Sequence, residues 1–482
     1  MKDTYTFQEF CSDRGITPEW LTSKEGNLTI GSETQRLPDD ELIVGGNLEI
    51  VNESLTRLPE RVIVAGCLYI EGSQIVEFPK YIEVMGPVVF RHTSFVRLHD
   101  QCLFHNSIYF HESKISQLPD NYHVRGSLYL IHCSIEELPK GLLVDGKLKI
   151  MGGNIRIIPD DCRCECLDAR KSKVEKIPDN WSVKYLNLED SAVSELSKGL
   201  RVSDILNISR TAIREIPEVL PGIDLVAQDA QLEKLPDNWP VRSLNLTGNP
   251  ISMLPKGLKV QWTLIISRTA IRTIPEDSYI GYSIIARDSQ LTEILGRKVM
   301  AGTIGVTGSP ISRISSDIIS KEIVCDKRVK VETYRFDLKK AIDFHPNGKY
   351  VVCDDIFSEV VEHKGNVWRC VDIKRGNEHY IVTDGKRHYA HGETIDSAKL
   401  DLRFKVNKRT LTDYRKLKLD DSLSFEDAYT CYREITGACR FGTDQFIQSL
   451  PEVKASYTIR EIIELTKGQY GHLVFAQFFR VA

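Results

Sequence analysis

Cys162-Arg163-Cys164-Glu165-Cys166 sets three thiols at alternate positions, and thiolates are the ligands of zinc and other soft metals. A further thiol stands beside two carboxylates in Cys353-Asp354-Asp355, and another in Thr436-Gly437-Ala438-Cys439-Arg440-Phe441-Gly442. As a nucleophile either would need a positioned base, a part that His391 or His472 could take only through the geometry of the fold. Seven cations, Arg403, Lys405, Lys408, Arg409, Arg415, Lys416 and Lys418, have the charge to track phosphates. Leu402, Phe404 and Leu411 run through them at near-helical spacing, which favours a solvated helix face. Asn27-Leu28-Thr29, Asn52-Glu53-Ser54, Asn207-Ile208-Ser209 and Asn245-Leu246-Thr247 fit the glycosylation triplet, which has meaning only in a secreted chain.

The elements that must hold these residues are repeats. An apolar residue stands at a Leu-Pro-like step at Leu37, Leu58, Phe78, Leu98, Leu118, Leu138, Ile158, Ile177, Leu196, Ile216, Leu235, Leu254, Ile274, Ile294 and Ile314, always 19, 20 or 21 residues apart. Between steps the chain reads Val-x-Gly-x-Leu-x-Ile, a period-two strand with one buried face. Proline lacks a donor N–H and belongs outside the ladder, so extended or polyproline-like backbone is expected on the far side of each coil. Five residues after the first strand leucine comes Ser, Thr or Cys, as at Ser73, Thr93, Ser113 and Cys133, and these side chains should point inward. Asn249 alone supplies an asparagine at that place. Asp179-Asn180-Trp181 returns as Asp237-Asn238-Trp239, a shift of 58 residues or three coils. In this register Cys162 stands where Trp181 stands in the next coil and Cys164 where Val183 stands, so both belong to a coil's core. No Cys or His set has zinc-finger spacing, and neither a metal nor a cofactor is expected.

Residues 1–26 read as a cap over the first apolar face, with a short amphipathic helix from Phe7 to Ser12, then Trp20 and Leu21, before a first strand at Asn27 to Ile30. The solenoid spans 27–330 and an α+β domain 331–482. In that domain Lys364-Gly365-Asn366, Arg375-Gly376-Asn377 and Asp384-Gly385 separate short strands into an antiparallel meander over 349–391. Helices follow over 394–480, with capping boxes at Ser424…Asp427 and Thr458…Glu461. The fold class is thus a β-rich solenoid of about 15 coils with a parallel concave sheet, followed by a small α+β domain. A hydrophobic fraction of 41%, a charged fraction of 27% and a net charge of -4 over 482 residues are those of a globular protein without a global pull toward nucleic acid or membrane. No segment has the length of apolar sequence a membrane span needs, the start has no secretory core, and a cytoplasmic location is expected. Twelve cysteines in such a chain are expected to be reduced.

Over residues 27–330 the chain resembles the bacterial leucine-rich repeats with Leu-Pro steps, such as those of secreted pathogen effectors. It departs from them in using Ser or Thr for most of the asparagines and in adding Val-x-Gly before the strand leucine. Some repeat effectors carry a ubiquitin ligase, and Cys353-Asp354-Asp355 resembles its Cys-x-Asp nucleophile. Those ligase domains are about twice as long and largely helical, so the ligase is the lesser reading. The segments Tyr389-Ala390-His391-Gly392, Ile435-Thr436-Gly437-Ala438-Cys439 and Thr466-Lys467-Gly468-Gln469-Tyr470-Gly471 resemble a module found behind such repeats in bacterial and phage or mobile-element proteins. That resemblance implies a context and no mechanism.

If Leu and Ile of Leu-x-Ile point inward, the residue between them faces out of the concave sheet. Tyr69, Tyr109 and Tyr129 then form an aromatic stripe continued by Lys149 and Asp168, with Arg91, His111 and Arg170 two residues further on. Rigid aromatics with arginine nearby are the composition of a protein-binding hot spot; the alternative is that tyrosine simply favours exposed strands. The expected function is non-enzymatic: the sheet binds, and sequesters or inhibits, a protein partner, such as a host defence protein if the chain is phage-borne. The α+β domain would take a second partner or self-associate. The alternatives are a catalytic, ligase-like effector and a nucleic-acid binder using Arg409, Arg415, Lys416 and Lys418.

Overall fold

In a computed structural model the described residues are 4–479, apart from 76–77, 95–96, 218–219, 296–297 and 408, so Lys408 of the basic run lies outside them. The chain divides into two compact units. The first is Met1–Lys298, Ile304–Ile318 and Val324–Lys330; the second is Val299–Thr303, Ile319–Ile323 and Val331–Ala482.

The Leu-Pro steps become the coils of a leucine-rich-repeat solenoid. All the marked residues are buried except Leu235, which is half-buried. The strand leucines pair in parallel and in register, Leu48 with Leu68, Leu68 with Val88, Val88 with Ile108 and Ile108 with Leu128, within a seventeen-stranded sheet. These residues are at most 1% exposed, so each coil stacks its apolar residues on the next and buries a continuous core. The amino-terminal cap begins with helix α1 (Phe7–Asp13), started by a capping box between Thr6 and Glu9. Helix α2 (Pro18–Leu21) follows. Phe7, Phe10, Cys11 and Leu21 are buried, whereas Trp20 stays 43% exposed, so the cap closes the first coil without the indole.

The Val-x-Gly-x-Leu-x-Ile segment is two strands in the early coils, where the sequence pattern reads as one. Glu41–Val44, Arg61–Val64, Tyr81–Val84 and Cys102–Phe104 form their own four-stranded parallel sheet, while Leu48–Val51 and its successors belong to the long one. The bend lies at the glycine. A Cβ on Gly66 would sit 2.5 Å from the Gly46 carbonyl oxygen, and one on Gly86 2.5 Å from that of Gly66, so the coils touch backbone to backbone there. At Leu143–Met151 the two pieces merge into one nine-residue strand.

The inward Ser/Thr row is buried as expected at Ser73, Thr93, Ser113, Ser289 and Ser309, while Ser191 is half-buried. Its hydroxyls bond between coils, Thr93 to Ser113 and Ser289 to Ser309, each at 3.0 Å. Asn249 donates to the Leu246 carbonyl at 2.9 Å and accepts from the Leu232 N–H at 2.9 Å. It is not alone. Asn52, one place earlier in its coil, donates to the carbonyls of Gly31 and Thr34 at 2.9 Å.

The second unit opens with a six-stranded antiparallel meander from Ile342–Phe344 to Tyr389–Gly392. Helices α3 (Ile395–Val406), α4 (Leu411–Tyr414), α5 (Phe425–Thr436), α6 (Arg440–Ser449), α7 (Ile459–Leu465) and α8 (His472–Phe478) follow. Between them the strands Ser422–Ser424 and Ser456–Thr458 pair with Leu423 opposite Tyr457, Ser422 opposite Thr458 and Ser424 opposite Ser456, a local two-fold. Each strand runs straight into a helix capped by its last hydroxyl, Ser424 on the Asp427 N–H and Thr458 on the Glu461 N–H. Only Thr458 has the full reciprocal box. Thr436 and Thr466 end α5 and follow α7 with the same hydroxyl bond to the carbonyl four residues back. The helical half of this unit is therefore one strand–helix–helix pattern used twice.

Candidate functional site

In-register pairing puts the outward residues of successive coils in rows. One row runs Glu49, Tyr69, Val89, Tyr109, Tyr129, Lys149, Asp168 and Asn187. A second, two residues on, runs Glu71, Arg91, His111, Ile131 and Met151. Tyr109 and Tyr129 stack with ring centres 4.4 Å apart and planes 10° apart. Each ring holds the other, so the pair forms a fixed aromatic plate on a rigid strand pair. Tyr69 lies apart from it, and its hydroxyl donates to Glu71, which, with burial, raises its pKa against the lowering effect of Arg91.

Asp168 stands in the row but is not presented. It is 1% exposed, and Arg170 grips its carboxylate through Nε at 3.0 Å and a terminal nitrogen at 2.8 Å. Two residues apart on one strand face, an acid and an arginine chelate each other before any partner arrives. The asparagines further along also have internal work: Asn207 and Asn245 each accept the backbone N–H two residues on, at 3.0 Å. The carboxylates there are neutralised as well, Glu189 by Arg210, and Asp204 and Asp224 by Arg242 at 2.5 and 2.6 Å. The sheet face that keeps its side chains available thus runs from Tyr69 to Lys149, and it includes Lys147, a residue the sequence pattern did not single out.

The candidate chemistries resolve by burial. Cys162 and Cys164 are core residues, at 0% and 8% exposure; burial pushes Cys162 up to about 12 and Cys164 higher still. Among the described residues no group of three His, Cys, Asp or Glu side chains is disposed to hold a metal ion. Cys353 is 1% exposed in the meander core, and burial holds its thiol far above neutrality. A histidine does lie close by, but His391 donates through Nδ1 to Asp354 at 2.8 Å rather than to the sulfur. Cys439 is exposed and accepts the Gly442 N–H at 3.4 Å as the cap of α6. In the folded protein at neutral pH an aromatic disulfide reagent is expected to react fast with Cys67 and Cys439 alone, the two exposed thiols. Mass mapping that finds Cys353 or Cys162 in the fast group would contradict their burial.

The basic run is largely spent at home. Arg403 pairs with Asp427 at 3.0 Å, Arg409 with the same residue at 3.7 Å and Lys416 with Asp413 at 2.8 Å, while Arg415 lies over the Phe478 ring. Lys418 bonds through its backbone N–H to Asp421. Most of the described cations of the run thus have partners within the unit, which does not favour a phosphate track.

Lys405 belongs to a closed circuit of polar groups that joins the meander to α3, α5 and α6. Asp354 accepts from Lys405 at 2.6 Å and from His391; Lys405 meets Asp401 at 3.6 Å, and Asp401 meets Arg433 at 3.2 Å. Arg433 reaches the Tyr429 hydroxyl at 3.4 Å, which donates to Asp444 at 2.9 Å. Arg440 pairs with Asp444 at 3.8 Å and closes the ring by donating to the His391 carbonyl at 2.5 Å. Burial alone would raise Asp354, but the bonds from His391 and Lys405 outweigh it and its carboxyl is lowered; Asp444 is raised by burial. Nearby, Phe425, Tyr429, Phe446, Ile447, Leu450 and Leu465 line an apolar cleft between α5, α6 and α7.

Two solved structures are similar to the chain. One is YopM, a leucine-rich effector protein from Yersinia pestis, at 16% identity and a TM-score of 0.37, covering 66% of this chain and 91% of that one. The other is YopM from Yersinia enterocolitica, at 16% identity and a TM-score of 0.30, covering 68% of this chain and 88% of that one. No protein-family model matches the chain, and no curated protein matches it. No helix among the described residues is long and apolar enough to cross a membrane.

Proposed function

We propose that this chain is a binding protein that holds a protein partner on the outer face of its long parallel sheet, between Tyr69 and Lys149, and acts by occupying that partner. The stacked pair Tyr109–Tyr129 carries the reading: aromatic anchors fixed before binding lose little freedom when a partner arrives. Arg91 and His111 border the plate in the second row, and beyond Lys149 Arg170 covers Asp168. The cleft of the second unit is the place for a second partner or another copy of the chain. In a chain carried by a phage or mobile element, a surface of this kind would serve to tie up a host protein, a defence component among them.

The test compares the full-length protein with a Tyr109→Ser/Tyr129→Ser variant and with Met253→Ser, which alters a residue 77% exposed elsewhere on the solenoid. Proteins captured by the wild type and by Met253→Ser are expected to be lost by the tyrosine variant, with a fall in affinity of at least about tenfold for an aromatic hot spot. Identical capture by all three removes the sheet face as the contact surface.

A further inference from the structure

On the reading of the sheet face as a contact surface, we infer that its partner is an acidic protein segment with an apolar anchor, seated with the anchor on the Tyr109–Tyr129 plate and its carboxylates on Lys147 and Lys149. The argument is one of unspent charge. Beyond the plate the carboxylates named above on these coils are matched internally: Asp168 in the row by Arg170, and beside it Glu189 by Arg210 and Asp204 and Asp224 by Arg242. Lys147 and Lys149 are two residues apart on one strand and therefore on one face. Among the described residues neither has a carboxylate within 4.0 Å; the Lys147 ammonium lies 5.8 Å from the centre of the Tyr185 ring and close enough to the Cys166 thiol to act on its pKa. Lys149 is the register neighbour of Tyr129, so the cations begin where the plate ends.

The opposite end sets direction. Glu49 is the register neighbour of Tyr69, and Glu71 takes the Tyr69 hydroxyl, so the early coils repel an acidic segment that the later ones attract. Arg91, the register neighbour of Glu71, offsets part of that charge and leaves Glu49 as the outermost acid of the early end. The gradient along the row gives the partner one orientation: acidic residues toward Lys147 and Lys149, anchor behind them, neutral or basic residues over Glu49. A single-stranded nucleic acid fits less well. It needs cations along its whole path and open ring faces, whereas here two lysines face two glutamates and the best rings cover each other.

A displayed library of random peptides, panned over the full-length protein, tests this without a known ligand. Enriched sequences are expected to place an aromatic or branched aliphatic residue beside two or more Asp or Glu. Their affinity should fall at least about tenfold against Lys147→Glu/Lys149→Glu, an effect of the size close charge pairs give at interfaces, and fall less against Lys147→Gln/Lys149→Gln. Peptides with Lys in place of their acids should prefer the reversed variant. Peptides that depend on Tyr109 and Tyr129 yet show no acidic excess overturn the inference and leave the contact surface standing. Peptides indifferent to both pairs of substitutions, or no enrichment at all, overturn both. Binding of an oligothymidylate probe that the lysine pair controls overturns the acidic segment in favour of nucleic acid.

Discussion

Arg433→Ala is expected to lower the stability of the second unit by about 3 kcal/mol, the lower end of the cost of breaking a buried ion pair, because Asp401 keeps Lys405 at 3.6 Å. Arg433 and Asp401 are both only 9% exposed, and their 3.2 Å contact is the inner link of the polar circuit. The guanidinium also lies 4.0 Å from the centre of the Phe404 ring, so its removal takes packing from α3 as well as charge. Urea unfolding of the full-length chain, followed by hydrogen exchange in α5, reads the effect. A second variant separates charge from shape: Arg433→Met with Asp401→Leu removes both charges and should recover most of the loss. A loss below about 1 kcal/mol for the alanine variant would show that the pair is solvated in solution and worth no more than a surface bridge. The circuit also fixes a pH response. The Asp354 carboxyl is lowered in the folded state, so its contribution is present above the ordinary carboxylate range and is lost as pH falls through the folded value.

Trp239→Ala is expected to destabilise the solenoid by about 3–5 kcal/mol, as for a large aromatic deleted from a core. The Trp239 indole is fully buried and donates to the Leu220 carbonyl at 2.8 Å; Trp181, its counterpart three coils earlier, donates to the Cys162 carbonyl at 3.0 Å. Each indole thus fills its own coil and satisfies the one before. Trp239→Phe should fall between, since it keeps most of the volume but orphans the carbonyl. Because coils contact mainly their neighbours, faster hydrogen exchange should appear around residues 200–260 and leave the amino-terminal cap unchanged. Uniform acceleration from cap to last coil would mean that the solenoid unfolds as one cooperative block.

The solenoid was legible because its signal is local and recurs: a Leu-Pro step, an alternating strand and an inward hydroxyl, written again every 19 to 21 residues. The break at Gly46, Gly66 and Gly86 was not, since period two continues across the bend and only the closeness of neighbouring backbones reveals it. The tyrosine row could be placed from register alone. The fate of Asp168 could not, because an exposed position and a position roofed by Arg170 have the same pattern. The polar circuit left only fragments in the sequence, the i,i+4 pairs Asp401/Lys405, Tyr429/Arg433 and Arg440/Asp444. The links that join those pairs to one another and to the meander span 32, 37 and 51 positions, with nothing local to mark them.

The bends that end the strands have a consequence for how this protein changes. From the coil of Gly72 to that of Gly308 each turns at a residue with positive φ, and glycine holds that conformation freely at Gly72, Gly152, Gly248 and Gly308. His92, Glu112, His132, Lys171, Asp190, Arg210, Asp229, Arg268 and Asp288 hold it at φ between 49° and 55°, where other L-residues give up about 1 kcal/mol. One backbone thus accepts glycine, acid, base or imidazole at the same place, and nearly all of these side chains are exposed. The rim of the sheet is a line of type that can be reset letter by letter, each change altering the outer surface while the stacked core beneath stays in print.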